Sequence, residues 1–256
     1  MSRVAPDAFL ALWNSISSAA LQPEYETWHT FEHVPERVGL PGFVEARRYR
    51  SMAHAQNPPD YFTCYWLDTL QALNSPGYSE LFARPTQWSA RMRLELRDFF
   101  RLPCTLGGAY GQSMASQLAT LHVRGDAATF AEQASRELER RVSNGDLVCA
   151  QWGSVAQTEA IPIANRASAA LMSSTGDDFV VMLQGLDAGT LREQAGQLLQ
   201  ALSLVAAHVS PPGFFELLSQ VRQDELARPA LTAQGICQRQ APRPDLFLKF
   251  QTGDTP

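Results

Sequence analysis

The order in which strand and helix patterns alternate constrains this chain more than any other feature of its sequence. In the first 110 residues, strand patterns recur at residues 9–16, 43–50, 61–67 and 100–106. Helical patterns lie between the first two strands, at residues 24–38, and between the last two, at residues 70–100. This order predicts a split β-α-β unit, in which four strands form one sheet.

The same order recurs in the second half, without visible sequence identity to the first. We predict further strands at residues 117–123, 147–155, 179–186 and 214–221, helices at residues 127–142 and 188–208, and an Ala- and Ser-rich loop at residues 161–174. The fold class is therefore predicted to be α+β, with two tandem ferredoxin-like (βαββαβ) halves. A single four-stranded sheet leaves one face uncovered, whereas two such sheets cover each other in a sandwich or barrel.

These patterns predict three parts of the chain. Residues 1–112 form the first half, residues 113–226 the second, and residues 227–256 a C-terminal tail. The glycine-rich stretch at residues 107–111 is interpreted as a flexible connector between the halves. In the tail, residues 246–248 are expected to add a short edge strand.

Composition and charge exclude several functional classes. A net charge of −5 and a pI near 5.6 provide no electrostatic basis for nucleic-acid binding. No apolar run approaches the ~18 residues of a membrane span, and we identify no signal peptide at the N-terminus. The four cysteines are widely spaced, which favours reduced thiols and a cytoplasmic protein: Cys64, Cys104, Cys149 and Cys237.

The densest cluster of chemically useful side chains lies on the first predicted helix, at residues 24–37. At about 100° per residue, one helix face carries His29, Glu32, His33 and Glu36. Aromatic residues on this helix and on neighbouring predicted strands favour a small-molecule pocket over a solvated helix face, which is the ordinary alternative. The aromatic residues are Tyr25, Trp28, Tyr49, Tyr65 and Trp66.

Two histidines four residues apart can also share a metal ion, and residues 29–33 match the H-x-x-E-H pattern of zinc proteases. The pattern is short, however, and the sequence supplies no recognisable third ligand. Pro35 also lies two residues after His33, where it distorts a helix. We therefore predict a site without a metal.

The first half resembles a known family. The residues that carry the resemblance are Trp28, Glu32, His33, Val34, Pro35 and Glu36, then Leu40, Pro41, Gly42 and Phe43, then Ala46, Arg47, Arg48 and Tyr49. Together with Ser75-Pro76-Gly77-Tyr78 and Pro85-Thr86-Gln87-Trp88, they are similar to the EthD-like branch of the dimeric α+β barrel superfamily. The similarity covers residues 8–106, and residues 115–226 share only the element order.

The resemblance implies an intramolecular dimeric α+β barrel and a candidate site. His33, Glu32 and Arg48 are the candidate catalytic residues. Trp28, His29, Glu36, Tyr49 and Tyr65 are the candidate substrate-binding residues. His33 would act as general acid or base, Glu32 or Glu36 would orient it, and Arg48 would hold an anionic oxygen.

These roles predict a cofactor-independent enzyme of the lyase or isomerase type. It would isomerise, dehydrate or open the lactone of a small oxygenated metabolite, aromatic or anionic. Two alternatives remain open: a non-catalytic binding or accessory protein that uses the same pocket, and a haem protein with a histidine as axial ligand. For His122 and His208 we expect structural or surface roles. The expected partners are a small-molecule substrate and a second copy in a homodimer.

Overall fold

A computed structural model of the protein describes residues 6–52, 59–156, 177–226 and 239–251. The predicted loop at residues 161–174 lies outside these ranges. The first half contains the strands and helices β1 (Ala8–Ile16), α1 (Gln22–Trp28), α2 (Val34–Val38), β2 (Phe43–Ser51), β3 (Tyr61–Leu67), α3 (Pro76–Ala83), α4 (Gln87–Arg93) and β4 (Leu96–Tyr110). A π-helical turn, His29–His33, joins α1 to α2, so that one continuous helical segment precedes β2.

The second half repeats the alternation of strands and helices. Its elements are β5 (Gln117–Gly125), α5 (Ala127–Ser143), β6 (Cys149–Val155), β7 (Asp177–Gly185), α6 (Ala188–Ser203), β8 (Ala206–Val209) and β9 (Gly213–Arg222), and a short helix α7 (Pro244–Lys249) follows near the C-terminus. Among the described residues, no helix has the length and apolar character needed to cross a membrane.

Eight of the strands close into an antiparallel barrel. Around it the strands follow the order β1, β3, β2, β9, β5, β7, β6 and β4, and β4 pairs again with β1. The first half therefore contributes β4-β1-β3-β2 and the second half β9-β5-β7-β6, and β8 lies beside the end of β5. This closed barrel agrees with the α+β barrel that the sequence predicts.

Residues alternate between the barrel interior and the outer face of each strand. The interior is apolar and aromatic: Phe9, Trp13, Phe62, Trp66, Leu102, Met182 and Phe215 are buried together there. On the outer face, helices cover the sheet. In the first half, Val34 and Val38 of α2 pack with Leu10 and Tyr65 of the sheet. This outer layer is the part of the fold that positions the candidate site.

The interpretation of residues 107–111 as a flexible connector is wrong. Gly107 and Gly108 belong to β4, which continues past β1 to pair with β6, and Gly108 faces Trp152 in the register. A Cβ atom built on Gly107 would lie 2.3 Å from the Trp152 ring. The glycines are therefore required for packing against an indole rather than for mobility. Residues 111–116 separate β4 from β5.

Three further predictions about elements are corrected by the structure. The helix predicted to end at residue 100 ends at Arg93, because β4 begins at Leu96 and pairs with β1. The helix predicted to reach residue 208 ends at Ser203, because β8 pairs with the end of β5, which β9 leaves uncovered. The strand expected at residues 246–248 is the helix α7, which begins with Pro244.

Candidate functional site

A cavity of about 40 Å³ lies between the outer face of the first-half sheet and the helical segments that cover it. It is lined by Leu10, Leu12, Asn14, His29, His33, Arg37, Thr63, Tyr65, Tyr78, Phe82, Arg93, Leu96, Phe99 and Arg101. The volume is enough for a few water molecules or a small ligand fragment. The lining residues come from six helices and strands of the first half and from the π turn, so the closed fold is needed to assemble them.

The π turn brings His29 and His33 to the same cavity. Pro35 has no amide hydrogen to donate to the carbonyl of Phe31, so the regular α-helical bonding cannot continue through this turn. Instead, the amide of Val34 donates to the carbonyl of His29. The two imidazole rings lie 4.7 Å apart between centroids, and the indole of Trp28 lies 4.2 Å from the ring of His33.

Both imidazoles are neutral at pH 7. Burial, followed by the charges of Arg48 and Arg37, lowers the pKa of His29 well below its usual range. Burial and then the charge of Arg37 do the same for the pKa of His33. The Nδ1 atoms of both rings are buried without a hydrogen-bond partner among the described residues. Each histidine is therefore an uncharged group that can accept a proton.

Three arginines line the cavity: Arg37, Arg93 and Arg101. No aspartate or glutamate is among the described residues that line it. None of these arginines is among the site residues predicted from the sequence. Arg37 follows the predicted catalytic cluster directly and could have been included, whereas Arg93 and Arg101 reach the cavity only through the packing of α4 and the register of β4.

Two hydroxyl groups on β3 add to the polar wall of the cavity. The Oγ1 atom of Thr63 and the phenolic oxygen of Tyr65 are buried, with no hydrogen-bond partner among the described residues. Burial raises the pKa of Tyr65, so its hydroxyl stays protonated. An unpaired buried polar group is costly unless a ligand or water satisfies it. Tyr65 is one of the candidate substrate-binding residues predicted from the sequence.

Glu32 and Glu36 point away from the cavity, toward the C-terminal segment. Glu32 accepts hydrogen bonds from the hydroxyl of Thr86 and, at 2.8 Å, from the amide of Arg243. Glu36 is buried and forms an ion pair with Arg239 at 2.5 Å. Neither carboxylate hydrogen-bonds His33 in the described parts of the chain, so their contacts are those of groups that dock residues 239–251 onto the helices.

Arg48, Trp28 and Tyr49 also lie outside the cavity wall. Arg48 is buried, donates to the hydroxyl of Thr30 at 2.6 Å and lies over the ring of Tyr25. Trp28 packs behind His33, and its Nε1 donates to Ser89 Oγ at 3.1 Å. Tyr49 faces the barrel interior. Of the eight candidate residues, the structure brings His29, His33 and Tyr65 together around the cavity.

No set of three or more His, Cys, Asp or Glu side chains within the described ranges is arranged to hold a metal ion. His29 and His33 are adjacent, but their neighbours at the cavity are arginines, hydroxyl groups and apolar side chains. The arrangement therefore provides two neutral bases, a positive field and unpaired hydroxyl groups.

Comparisons with known proteins bear on the fold. No protein-family model matches the chain, and no curated protein matches it. Among solved structures, an anthrone oxidase-like protein superposes with a TM-score of 0.62 at 6% identity, covering 88% of this chain and 97% of its own. A proposed monooxygenase from Lactobacillus acidophilus NCFM gives 0.54 at 7% identity, covering 86% and 97%. A proposed monooxygenase from Fusobacterium nucleatum subsp. nucleatum ATCC 25586 gives 0.53 at 8%, covering 85% and 95%.

Identities this low establish only the fold, and they do so over most of each chain. The closed eight-stranded antiparallel barrel with helices on its outside has the same overall arrangement in these proteins. The chain therefore has the fold of the dimeric α+β barrel proteins.

Proposed function

We propose that this chain is an enzyme that moves a proton on a small oxygenated metabolite bound in the first-half cavity. His33 acts as general base or acid, and His29 is the second titratable group beside it. The observation that carries this proposal is the pair of neutral imidazoles, 4.7 Å apart between ring centroids, at a cavity that arginines, hydroxyl groups and apolar side chains also line. Histidine is the side chain that most often transfers protons in enzymes, and the neutral form present here is the form that accepts one.

The charges around the cavity favour a substrate that becomes negative during the reaction. Removing a proton next to a carbonyl group leaves an enolate, whose charge is stabilised by arginines and hydroxyl donors in a water-poor site. Isomerisation, dehydration and lactone opening all pass through such a charge. The proposal therefore retains the cofactor-independent lyase or isomerase chemistry expected from the sequence, with Arg37, Arg93 and Arg101 rather than Arg48 nearest the substrate.

A binding or accessory protein is the second candidate, and one observation favours it. Neither Glu32 nor Glu36 orients the imidazole of His33, because both carboxylates bind elsewhere. A pocket built only to hold a metabolite would need the arginines and hydroxyl groups but no oriented base.

The neighbours in fold, described as oxidase-like or as proposed monooxygenases, are compatible with a small-molecule enzyme. We further propose that the chain belongs to the EthD-like branch and that its halves, residues 1–112 and 113–226, are tandem ferredoxin-like repeats. We also propose that it works in the cytoplasm, alone or as a homodimer. The matching strand orders of the two halves support the repeat.

Proton exchange tests the two candidates directly. The protein is incubated in D₂O with a panel of small oxo and hydroxy compounds, and deuterium incorporation at carbon is followed by ¹H NMR. An enzyme exchanges at least one compound, and His33→Asn slows that exchange by about 100-fold or more. His208→Asn, at an exposed position in the second half, is the control and leaves exchange unchanged. Saturable binding without exchange would favour the accessory protein.

A further inference from the structure

Two guanidinium groups at one part of the cavity share a single aromatic ring. The guanidinium carbon of Arg37 lies 6.0 Å from the ring centroid of Phe82, and that of Arg93 lies 5.2 Å from the same centroid. All three side chains line the cavity. Arg37 comes from α2, Phe82 from α3 and Arg93 from α4, so three separate helices meet at this point.

Both guanidinium groups are held in place by backbone carbonyls. Arg37 Nη1 donates to the carbonyl of His33 at 2.8 Å, and Arg93 Nη2 donates to the carbonyl of Leu81 at 2.7 Å. The Nε of Arg93 is buried, with no hydrogen-bond partner among the described residues. The pair is therefore fixed in position and still has an unused donor.

The positive charge of this pair is only partly balanced, because its one nearby carboxylate in the described ranges, Glu36, is shared with Arg239. The only acidic contact of Arg37 within the described ranges is Glu36 Oε2 at 3.9 Å, and the other oxygen of Glu36 already pairs with Arg239. No described acidic side chain pairs with Arg93. Its pKa is lowered to about 10 by burial and by the charge of Arg37. Arg37 is buried and Arg93 half-buried, and together with Arg239 they share the single carboxylate of Glu36. The excess of positive charge in a partly desolvated place indicates a site for an anion.

We infer that Arg37, Phe82 and Arg93 form a carboxylate-binding site, and that the substrates of the cavity are therefore small carboxylic acids. Two guanidinium forks match the planar, two-oxygen geometry of a carboxylate better than that of a single oxyanion. Because Arg37 is bonded to the backbone of His33, a carboxylate held there places the rest of a small molecule beside the imidazoles. This inference rests on the proposed function, since it assigns one end of the same cavity.

The test compares acetate with acetamide, which has nearly the same shape and no charge. Binding of each to the full chain is followed by ¹H–¹⁵N NMR titration at constant ionic strength. We expect saturable binding of acetate, with shifts at the amides of residues 33–37 and 81–93, and at least tenfold weaker binding of acetamide. Equal binding of the two compounds would overturn the inference, and this comparison needs no variant.

Variants locate the site. Arg93→Gln and Arg37→Gln should each weaken acetate binding by about tenfold or more. Arg140→Gln removes the same charge from an exposed helix position in the second half and should leave acetate affinity unchanged. If acetate binds Arg93→Gln as tightly as the wild-type protein, the assignment is wrong.

A last variant separates this inference from the proposed function. His33→Asn should keep acetate affinity within about twofold, because the carboxylate is held by the arginines, while it slows proton exchange by about 100-fold or more. Acetate binding at the arginines together with no exchange of any carboxylic acid would leave the carboxylate site standing and remove the proton-transfer proposal. Proton exchange on neutral compounds alone would overturn the carboxylate site and leave the proton-transfer proposal standing.

Discussion

The layers between sheet and helices differ in packing between the two halves of the barrel. In the described part of the second half, sixteen buried residues form one apolar cluster, in which the ring centroids of Phe130 and Phe179 lie 4.0 Å apart in a stacked arrangement. In the first half, the apolar cluster of α2 and α3 adjoins a cavity whose wall combines histidines, arginines and hydroxyl groups with leucine and phenylalanine side chains. Two halves with matching strand orders therefore differ in the layer between sheet and helices. This layer is closely packed in the second half and contains a partly polar cavity in the first.

We propose that this difference separates a half that carries the candidate site from a half that mainly stabilises the fold. Close packing of apolar side chains gives the largest contribution to the free energy of folding. Unpaired buried polar atoms reduce it, and they persist at positions where a ligand satisfies them. We propose that the second half acts as a scaffold for the half that contains the cavity.

The largest expected effect is the loss of stability when a side chain is removed from the packed layer of the second half. Phe130→Ala removes a fully buried ring that contacts Phe179 and Trp152, and should lower the free energy of unfolding by about 3–5 kcal/mol. Urea denaturation followed by circular dichroism measures it. Phe31→Ala, at a 52% exposed position in the first half, is the control and should change stability by less than about 0.5 kcal/mol.

A pH-dependent loss of stability should arise from the cavity. The pKa values of His29 and His33 are lowered in the folded state, so the unfolded chain binds more protons as the pH falls below about 6.5. The contribution of these neutral histidines to the free energy of unfolding is therefore fully present above pH 6.5. Below that pH the free energy of unfolding falls by up to about 1.4 kcal/mol per pH unit for each histidine. Denaturation between pH 7.5 and 5 should show a shallower decline in a His29→Asn, His33→Asn double variant than in wild type or His208→Asn.

A larger side chain at position 107, where β4 contacts Trp152, should destabilise the protein. Gly107→Ala places a methyl group against the indole and should destabilise the protein by about 1–3 kcal/mol. Gly196→Ala, in α6 where a Cβ atom meets nothing within 4 Å, should instead stabilise it by up to about 1 kcal/mol. Thermal unfolding of both variants distinguishes a packed strand from a flexible connector; equal effects would contradict the packed strand.

The smallest expected change in the free energy of unfolding comes from removing the hydroxyl groups of two buried tyrosines in the first half. Tyr65→Phe removes a hydroxyl without a partner in the described residues and should leave stability within about 0.5 kcal/mol of wild type. Tyr25→Phe removes a hydroxyl that donates to Asn14 Oδ1 at 3.0 Å and should cost about 1 kcal/mol. A clear loss in Tyr65→Phe would mean that its hydroxyl is satisfied in the free protein.

Much of the fold could be predicted from the sequence because its elements carry strong local patterns. The helix starting near residue 24 and the strand at residues 61–67 follow from residue periodicity and β propensity. Errors occurred where a distant partner decides the local structure. Residues 206–209 form a strand because β5 offers them a free edge, and residues 107–108 need glycine because Trp152 lies against them.

Prediction of the candidate site was limited by the direction of each side chain. Helix periodicity placed His29, His33, Glu32 and Glu36 on one face, but the π turn at Pro35 changes the spacing. The two carboxylates turn toward residues 239–251, which lie some 200 positions away in the chain. No local pattern reports a contact of that sequence separation.

The sequence by itself determined the alternation of strands and helices and the position of the histidine-bearing helix, since both follow from interactions among residues close in the chain. The tertiary structure alone decided that Arg93 and Arg101 meet the histidines at one cavity and that Glu32 and Glu36 do not. Barrel closure and helix packing set those distances, and they depend on all eight strands at once.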